Sequence, residues 1–212
     1  YQLGDIVCRM RTIVGLLLVC SVWAATATAQ PSATTCDREC LRGTVTQLLY
    51  AFVKHDVSGL PVAATVRVTE DAVEKPLAKV GLVGTVTRLR GFRQDIIDER
   101  AGVAGAHVIV EETGAPVLLV VRLKVVADKL TEIELVATRS RAEGLIFNID
   151  GLSAPSAVMN YAPRPEQLAT RDAATKAALK YPEGLSAAKT FAAVNAPFAP
   201  NAYRYENGQV MA

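Results

Sequence analysis

The chain has 212 residues, half of them apolar, and 23 Lys and Arg against 21 Asp and Glu give a formal net charge of +2. That length accommodates one large or two small domains, and the composition is that of a globular protein rather than a disordered one. Lys and Arg are scattered with no basic run, which argues against nucleic acid as a partner.

The first 29 residues read as a targeting segment. Arg9 and Arg11 form a basic start, residues 13–23 are an apolar run too short to span a bilayer, and Ala27-Thr28-Ala29 is a small-x-small cleavage signal before Gln30. Met10 fits the initiator, with residues 1–9 upstream of it. The alternatives are an uncleaved anchor and a lipoprotein signal at Leu17-Leu18-Val19-Cys20, where Val19 is too large for the position before a modified cysteine. The expectation is a periplasmic or secreted protein with no membrane attachment after cleavage. Cleavage removes Cys8, Cys20 and Trp23, so the mature protein is expected to show no tryptophan fluorescence.

Cys36 and Cys40 remain, in a compartment where disulfides persist. In a regular helix their i, i+4 spacing orients the side chains poorly for a direct bond. Pairing of each, or of one of them, with a cysteine absent from this chain is therefore expected. With His55 and His107 the only histidines, nothing completes a zinc site, and no metal is expected.

Thr34, with Asp37 three residues on, starts a helix in which Leu41, Val45, Leu48, Leu49 and Phe52 recur at helical spacing to about Lys54. Tyr50 lies off this stripe. His55-Asp56 ends the helix, and a histidine there is a cap or dipole partner before it is a catalyst. Ser58-Gly59-Leu60-Pro61 is a turn, residues 65–70 form a short strand with Arg67 and Thr69 on one side, 71–87 are irregular, and 92–98 form another strand.

Residues 104–140 can be folded on paper. Thr113-Gly114 is a two-residue turn signal and Ala127-Asp128-Lys129 a polar break, which makes three antiparallel strands. If Val126 faces Leu130, Lys124 falls opposite Glu132 and Arg122 opposite Glu134, two opposite-charge cross-strand pairs from one register. The other face then carries Ala106, Val108, Val110, Leu119, Val121, Leu123, Ile133, Leu135 and Ala137, all apolar, and should be the core side. The outer face is mixed, with His107, Ile109, Leu118, Val120 and Val136 beside the charges. A purely solvated face would alternate more strictly, so a second domain or another subunit is expected to cover its apolar half.

Residues 141–165 lose periodicity and form a linker, with wrapping of the first unit as one reading. Residues 166–180 are helical until Tyr181-Pro182-Glu183-Gly184 stops them. Without gaps, PVAATVRVTEDA from Pro61 aligns with PFAPNAYRYENG from Pro197, pairing Glu70 with Glu206 and Asp71 with Asn207. The expectation is therefore an α+β domain at 36–140, a helix packed on a curved antiparallel sheet in a cone shape, then a linker. Residues 166–212 are the start of a second, truncated copy, with the chain incomplete at its C-terminus.

Residues 36–41 (CDRECL), 60–71 (LPVAATVRVTED), RLKV with TEIE, and 202–212 (AYRYENGQVMA) resemble a family of exported bacterial and fungal proteins of unknown function. Its members resemble tandem cone-shaped domains of the nuclear-transport-factor, ketosteroid-isomerase and scytalone-dehydratase (SnoaL-like) type. The resemblance covers roughly 36–212. It implies helices closing over the concave sheet face and an apolar pocket, which relatives use for cofactor-free isomerisation, dehydration or aldol-type chemistry. Such reactions need an acid or base held in a dry pocket. Here the registered core face carries no ionisable residue, and His107 falls on the opposite face.

Candidate residues divide accordingly. Arg67 with Glu70, and Arg204 with Glu206 and Asn207, could orient a ligand carboxylate or carbonyl, or could lock loops through ion pairs and backbone hydrogen bonds. Asp95 is the candidate carboxylate base, with an exposed strand residue as the plainer reading, and His107 fits an interface. Gly151-Leu152-Ser153-Ala154-Pro155 misses the nucleophile elbow by its last glycine, and no phosphate-cradling loop occurs. Two readings follow, neither with a cofactor. One is a protein that binds a small apolar molecule or serves as an assembly module, through an intramolecular domain contact or a homo-oligomer on the outer sheet face. The other is a cofactor-independent lyase, isomerase or dehydratase.

Overall fold

A computed structural model describes residues 36–144, 147–155, 157–207 and 209–211. The targeting segment read at 1–29, with Cys8, Cys20 and Trp23, lies outside the described residues. The first helix, α1 (Arg38–Val53), is capped by Asp37, whose Oδ1 accepts from the Cys40 amide at 2.9 Å, so the cap falls three residues later than Thr34. Cys36 and Cys40 are bonded to each other, contrary to the expected outside partners. Cys36 precedes the extended Asp37 and is free of helical geometry, which brings the two Cα atoms to 5.1 Å, within disulfide range.

After α1 come β1 (Val62–Glu70), β2 (Val73–Glu74), a one-turn helix α2 (Gly81–Thr85), β3 (Val86–Asp98), β4 (Val103–Glu112), β5 (Ala115–Val126) and β6 (Lys129–Thr138). They form one sheet in the order β2-β1-β6-β5-β4-β3. Every pairing is antiparallel except β1 with β6, where Arg67 lies beside Glu132 and Glu70 beside Leu135 in a parallel ladder. Register shifts within the β1–β6, β3–β4 and β5–β6 pairs bend the strands, and the sheet curves around α1. This is the cone-shaped α+β arrangement.

The meander has the expected register over most of its length: Lys124 opposes Glu132, Arg122 opposes Glu134, Leu123 opposes Ile133 and Val121 opposes Leu135. Near the turn it differs. Val126 pairs with Lys129 and Val125 with Leu130, leaving Thr131 as the extra residue of a bulge. Ala127 and Asp128 both take positive φ (47° and 58°), a two-residue turn rather than the looser break expected. The concave face is packed as anticipated: Val108, Val110, Leu119, Val121, Leu123, Ile133 and Leu135 are buried against Leu41, Val45, Leu48, Leu49 and Phe52 of α1. Each such side chain contributes roughly 1.5–3 kcal/mol by burial.

Beyond the sheet, α3 (Arg171–Ala187) runs through Pro182, where a stop was expected. The helix continues there although proline removes a donor and its ring crowds the preceding turn, and although Gly184 follows it. A two-stranded ribbon follows, β7 (Tyr205–Glu206) and β8 (Gln209–Val210). Its pairing resembles that of β1–β2 at the spacing of the sequence alignment. Thr69 and Glu70 pair with Glu74 and Val73; Tyr205 and Glu206 pair with Val210 and Gln209. The Lys75 amide donates to Val68 O (3.1 Å) as Met211 donates to Arg204 O (2.8 Å), and Val62 donates to Leu60 O (2.8 Å) as Phe198 donates to Ala196 O (2.9 Å). Asp71 and Asn207 turn with φ of 50° and 49°.

Candidate functional site

The outer face of the sheet holds the site. In the β3–β4–β5–β6 register, Gln94, His107, Val120 and Val136 form one row across four strands. Phe92, Gln94 and Ile96 alternate on the same face of β3, and the Phe92 ring meets the His107 imidazole edge-on, centroids 5.7 Å apart. The chain itself covers part of this apolar surface: Ile149 and Leu152 bury against Phe92, Ile109 and Leu118, with Phe147 packed alongside. Val120 and Val136 remain 45% and 52% exposed.

Where this cover continues, Pro155 and Met159 from one side and Tyr205 and Asn207 from the other border a partly open pocket of about 140 Å³ over Phe92, Gln94, Ile96 and His107. Gln94 is 7% exposed. Its Nε2 donates to the Asp95 carbonyl at 3.0 Å and to Asn160 Oδ1 at 3.4 Å. The fixed Asp95 carbonyl sets the orientation of the amide, which leaves Oε1 as the other end. That Oε1 and His107 Nε2 are buried and have no hydrogen-bond partner. Burial pushes the His107 imidazolium below its usual pKa, so the ring is neutral at neutral pH. Two polar atoms, one an acceptor and one of either sense by tautomer, are thus buried without a partner in residues that line the pocket.

Of the residues singled out in the sequence, His107 and Asn207 line this pocket and the others lie elsewhere. Asp95 faces α1: Arg93 Nε bonds its Oδ1 at 2.7 Å and Arg42 Nε approaches Oδ2 at 3.3 Å, while Arg93 also reaches Thr46 Oγ1 and Arg42 O. Both oxygens of this carboxylate are held by guanidinium groups. Glu70, 6% exposed, sits at the end of β1, where Oε2 accepts from Lys75 Nζ (2.7 Å) and the Gly81 amide (2.9 Å), and Oε1 from the Leu82 amide (3.0 Å). A Cβ at position 81 would stand 3.3 Å from Oε1, so a glycine allows this close approach. Burial alone would raise the Glu70 carboxyl; Lys75 and the two amides outweigh it and hold the group below the usual carboxylate range. Glu112 is built alike, burial being outweighed by Arg139 and the Thr85 hydroxyl. Asp71 joins by accepting from the Ala137 amide at 2.9 Å.

Arg67 does not share a site with Glu70. It lies on the outer face between Glu74 and Glu134, each at 3.5 Å, and continues a charged ladder through Arg122, Glu132 and Lys124. Arg204 and Glu206 form an ion pair flanking Tyr205. His55 closes α1: its ring Nδ1 donates to Val83 O at 2.7 Å, and its φ is 57°. Among the described residues no cluster of three His, Cys, Asp or Glu could hold a metal ion, and no helix is long and apolar enough to cross a membrane.

Gln94 was not singled out in the sequence. Its signal was the alternation Phe92-x-Gln94-x-Ile96, one amide among apolar neighbours, and the Asp98–Val103 turn that sets it opposite His107.

No known protein family matches this sequence, and no curated protein is similar to it. Solved structures are similar to about half of the chain. AusH from Aspergillus nidulans matches over 49% of this chain and 87% of its own, at 17% identity and a TM-score of 0.39. IdmH from Streptomyces antibioticus, a candidate polyketide cyclase, matches over 50% and 95%, at 12% identity and a TM-score of 0.37. The de novo designed NTF2 fold protein NT-9 matches over 54% and 95%, at 12% identity and a TM-score of 0.36. The likeness concerns the fold; no ligand or reaction comes with it.

Proposed function

We propose that this is a small-molecule-binding protein of an exported compartment, and that it binds on the outer face of the sheet rather than inside the cone. The observation that carries this reading is the pocket over Phe92, Gln94, Ile96 and His107, two of whose lining residues also carry a buried polar atom without a partner. Unpaired buried polar atoms are rare in folded proteins, and a ligand group is one of the few things that satisfies them. The concave face, by contrast, is filled by side chains of α1 and the sheet. The cavity also joins two parts of the chain, since Tyr205 and Asn207 belong to the ribbon that repeats β1–β2. Residues 171–211 are thus read as a second copy of the opening of the first unit, docked through the site.

Mass spectrometry of an organic extract of the purified, exported protein tests the reading. A stoichiometric small molecule in the wild type, lost in Gln94→Leu, is the expected result. An extract empty of any such compound counts against it. Conversion of that compound by the protein would favour the cofactor-independent lyase or isomerase reading, with the neutral His107 imidazole as the base.

A further inference from the structure

At the start of α1, with no residue in common with the pocket over Phe92 and His107, we infer a second site: the Cys36–Cys40 disulfide exchanges with external thiols, which enter at Cys40 and displace Cys36. The two cysteines differ in access. Cys36 is 2% exposed and belongs to the main core cluster, while Cys40, in the first turn of α1, is exposed. A thiolate has to approach the sulfur that it attacks, so access assigns the roles. A partly open pocket borders both cysteines, with Gly43, Pro61, Val125 and Leu130 among its walls. Gly43 lies three residues on from Cys40, on the same side of the helix, and a Cβ at that position would meet nothing within 4 Å. That flank of Cys40 is open.

The exchange balances with two thiols. The incoming thiolate bonds to Cys40 Sγ, the Cys36–Cys40 bond breaks, and Cys36 leaves with the electron pair and takes up a proton. A second thiolate then attacks the external sulfur of the mixed disulfide and releases Cys40 as a thiolate. The protein has gained two electrons, and the two thiols have become one disulfide. At the positive end of α1 an anionic sulfur on Cys40 is favoured, and the apolar core around Cys36 favours its neutral thiol.

Both redox states keep the helix in place. Asp37 Oδ1 accepts from the Cys40 amide at 2.9 Å and the Thr44 hydroxyl donates to the Cys40 carbonyl at 2.9 Å, and neither contact involves sulfur. Leu41, Val45, Leu48, Leu49 and Phe52 seat α1 on the sheet whether the bridge is closed or open. The bridge spans a sequence separation of only 4, so opening it frees little chain. A small, exposed bridge of this kind is of the labile class, not the class that folding depends on.

The test is the kinetics of reduction of the folded full chain by dithiothreitol and by glutathione, with peptide mass mapping to assign adducts among Cys8, Cys20, Cys36 and Cys40. The rate of opening is expected to rise in proportion to thiol concentration while circular dichroism stays native, and to exceed the rate of global unfolding by about tenfold or more. Glutathione is expected on Cys40. Cys36→Ser treated with glutathione disulfide should take one glutathione on Cys40 and keep it, whereas the wild type releases its adduct as Cys36 closes the bridge again. Cys40→Ser should leave Cys36 unmodified until denaturant is added. A rate independent of thiol concentration and equal to that of unfolding would make the bridge purely structural and overturn the site. Glutathione found on Cys36, or a folded Cys36→Ser variant that takes none on Cys40, would overturn the assignment of roles. If a serine variant fails to fold, the thiol dependence and the adduct position in the wild type decide between these outcomes.

Discussion

Two places in this sheet bury polar groups, and they are finished differently. At the ends of β1 and β4, both oxygens of Glu70 and both of Glu112 are taken by Lys75, Arg139, Thr85 and backbone amides. On the outer row of β3 and β4, Gln94 Oε1 and His107 Nε2 are taken by nothing. The contrast recurs between neighbours in sequence, since Asp95 faces inward and is saturated by Arg42 and Arg93. Complete pairing ties the α2 loop and the strand ends into one shape. Among the described residues the unpaired side-chain atoms belong to Gln94 and His107, which line the pocket, and burying them without partners costs stability.

Breaking the saturated end should have the largest effect. Glu70→Gln leaves the Lys75 ammonium without its counter-charge and disturbs the Gly81 and Leu82 amides, an expected loss of about 3 kcal/mol in urea unfolding. Acid acts on the same group. The folded carboxyls of Glu70 and Glu112 lie below their ordinary value of 4.5, so the unfolded chain takes up protons first. Their contribution is present above about pH 4.5 and is lost as the pH falls through the folded values, and Glu70→Gln should flatten that decline. Next comes the disulfide: Cys36→Ser with Cys40→Ser opens a small loop at the start of α1, for roughly 2 kcal/mol by the chain-entropy relation.

The unpaired row should respond in the opposite sense. Gln94→Leu removes a buried group that lacks one partner and should leave stability unchanged or raise it by up to about 1 kcal/mol, while abolishing ligand capture. A loss of 2 kcal/mol or more in the ligand-free protein would mean that the amide is structural and the contrast between the two places is false. His107 adds a pH signature. Its folded pKa lies below the ordinary 6.5, so protons favour the unfolded chain, and stability should decline as the pH falls from about 6.5 through the folded value. His107→Phe should remove that decline in a pH series of thermal unfolding curves.

How far these features were legible depended on whether they lay within one hairpin. Arg122, Lys124, Glu132 and Glu134 announce their own register because alternating charge fixes which residues face each other, and that register places His107 outside. The bulge at Thr131 was invisible because the turn residues Ala127 and Asp128 take left-handed conformations that alanine rarely signals. The parallel docking of β1 on β6 joins residues far apart in sequence and leaves no periodic trace in either strand. The same distance hid Glu112, whose arginine partner lies on the far side of β6 in sequence, and the cavity, whose cover at 155–159 and 205–207 comes from segments with no pattern of their own. Cys36 was misjudged for a local reason: the helix starts two residues after it.

The smallest expected effect comes from the outer ladder, and it sharpens the contrast from the exposed side. Arg122 stands opposite Glu134 in the ladder, yet its NH1 is nearer to Glu132 Oε2 (2.7 Å) than to Glu134 Oε1 (3.2 Å), and Glu132 also receives Lys124 at 3.3 Å. A carboxylate shared by two cations on a half-exposed face gains little from either, because water and salt screen both. Glu132→Gln should therefore cost about 0.5 kcal/mol at low salt and nearly nothing at 1 M. A double-mutant cycle of Arg122 with Glu132 and with Glu134 should give couplings of similar size. If the Glu132 coupling instead survived high salt at more than 1 kcal/mol, the outer face would be dry around it, and a partner would have to cover the sheet there.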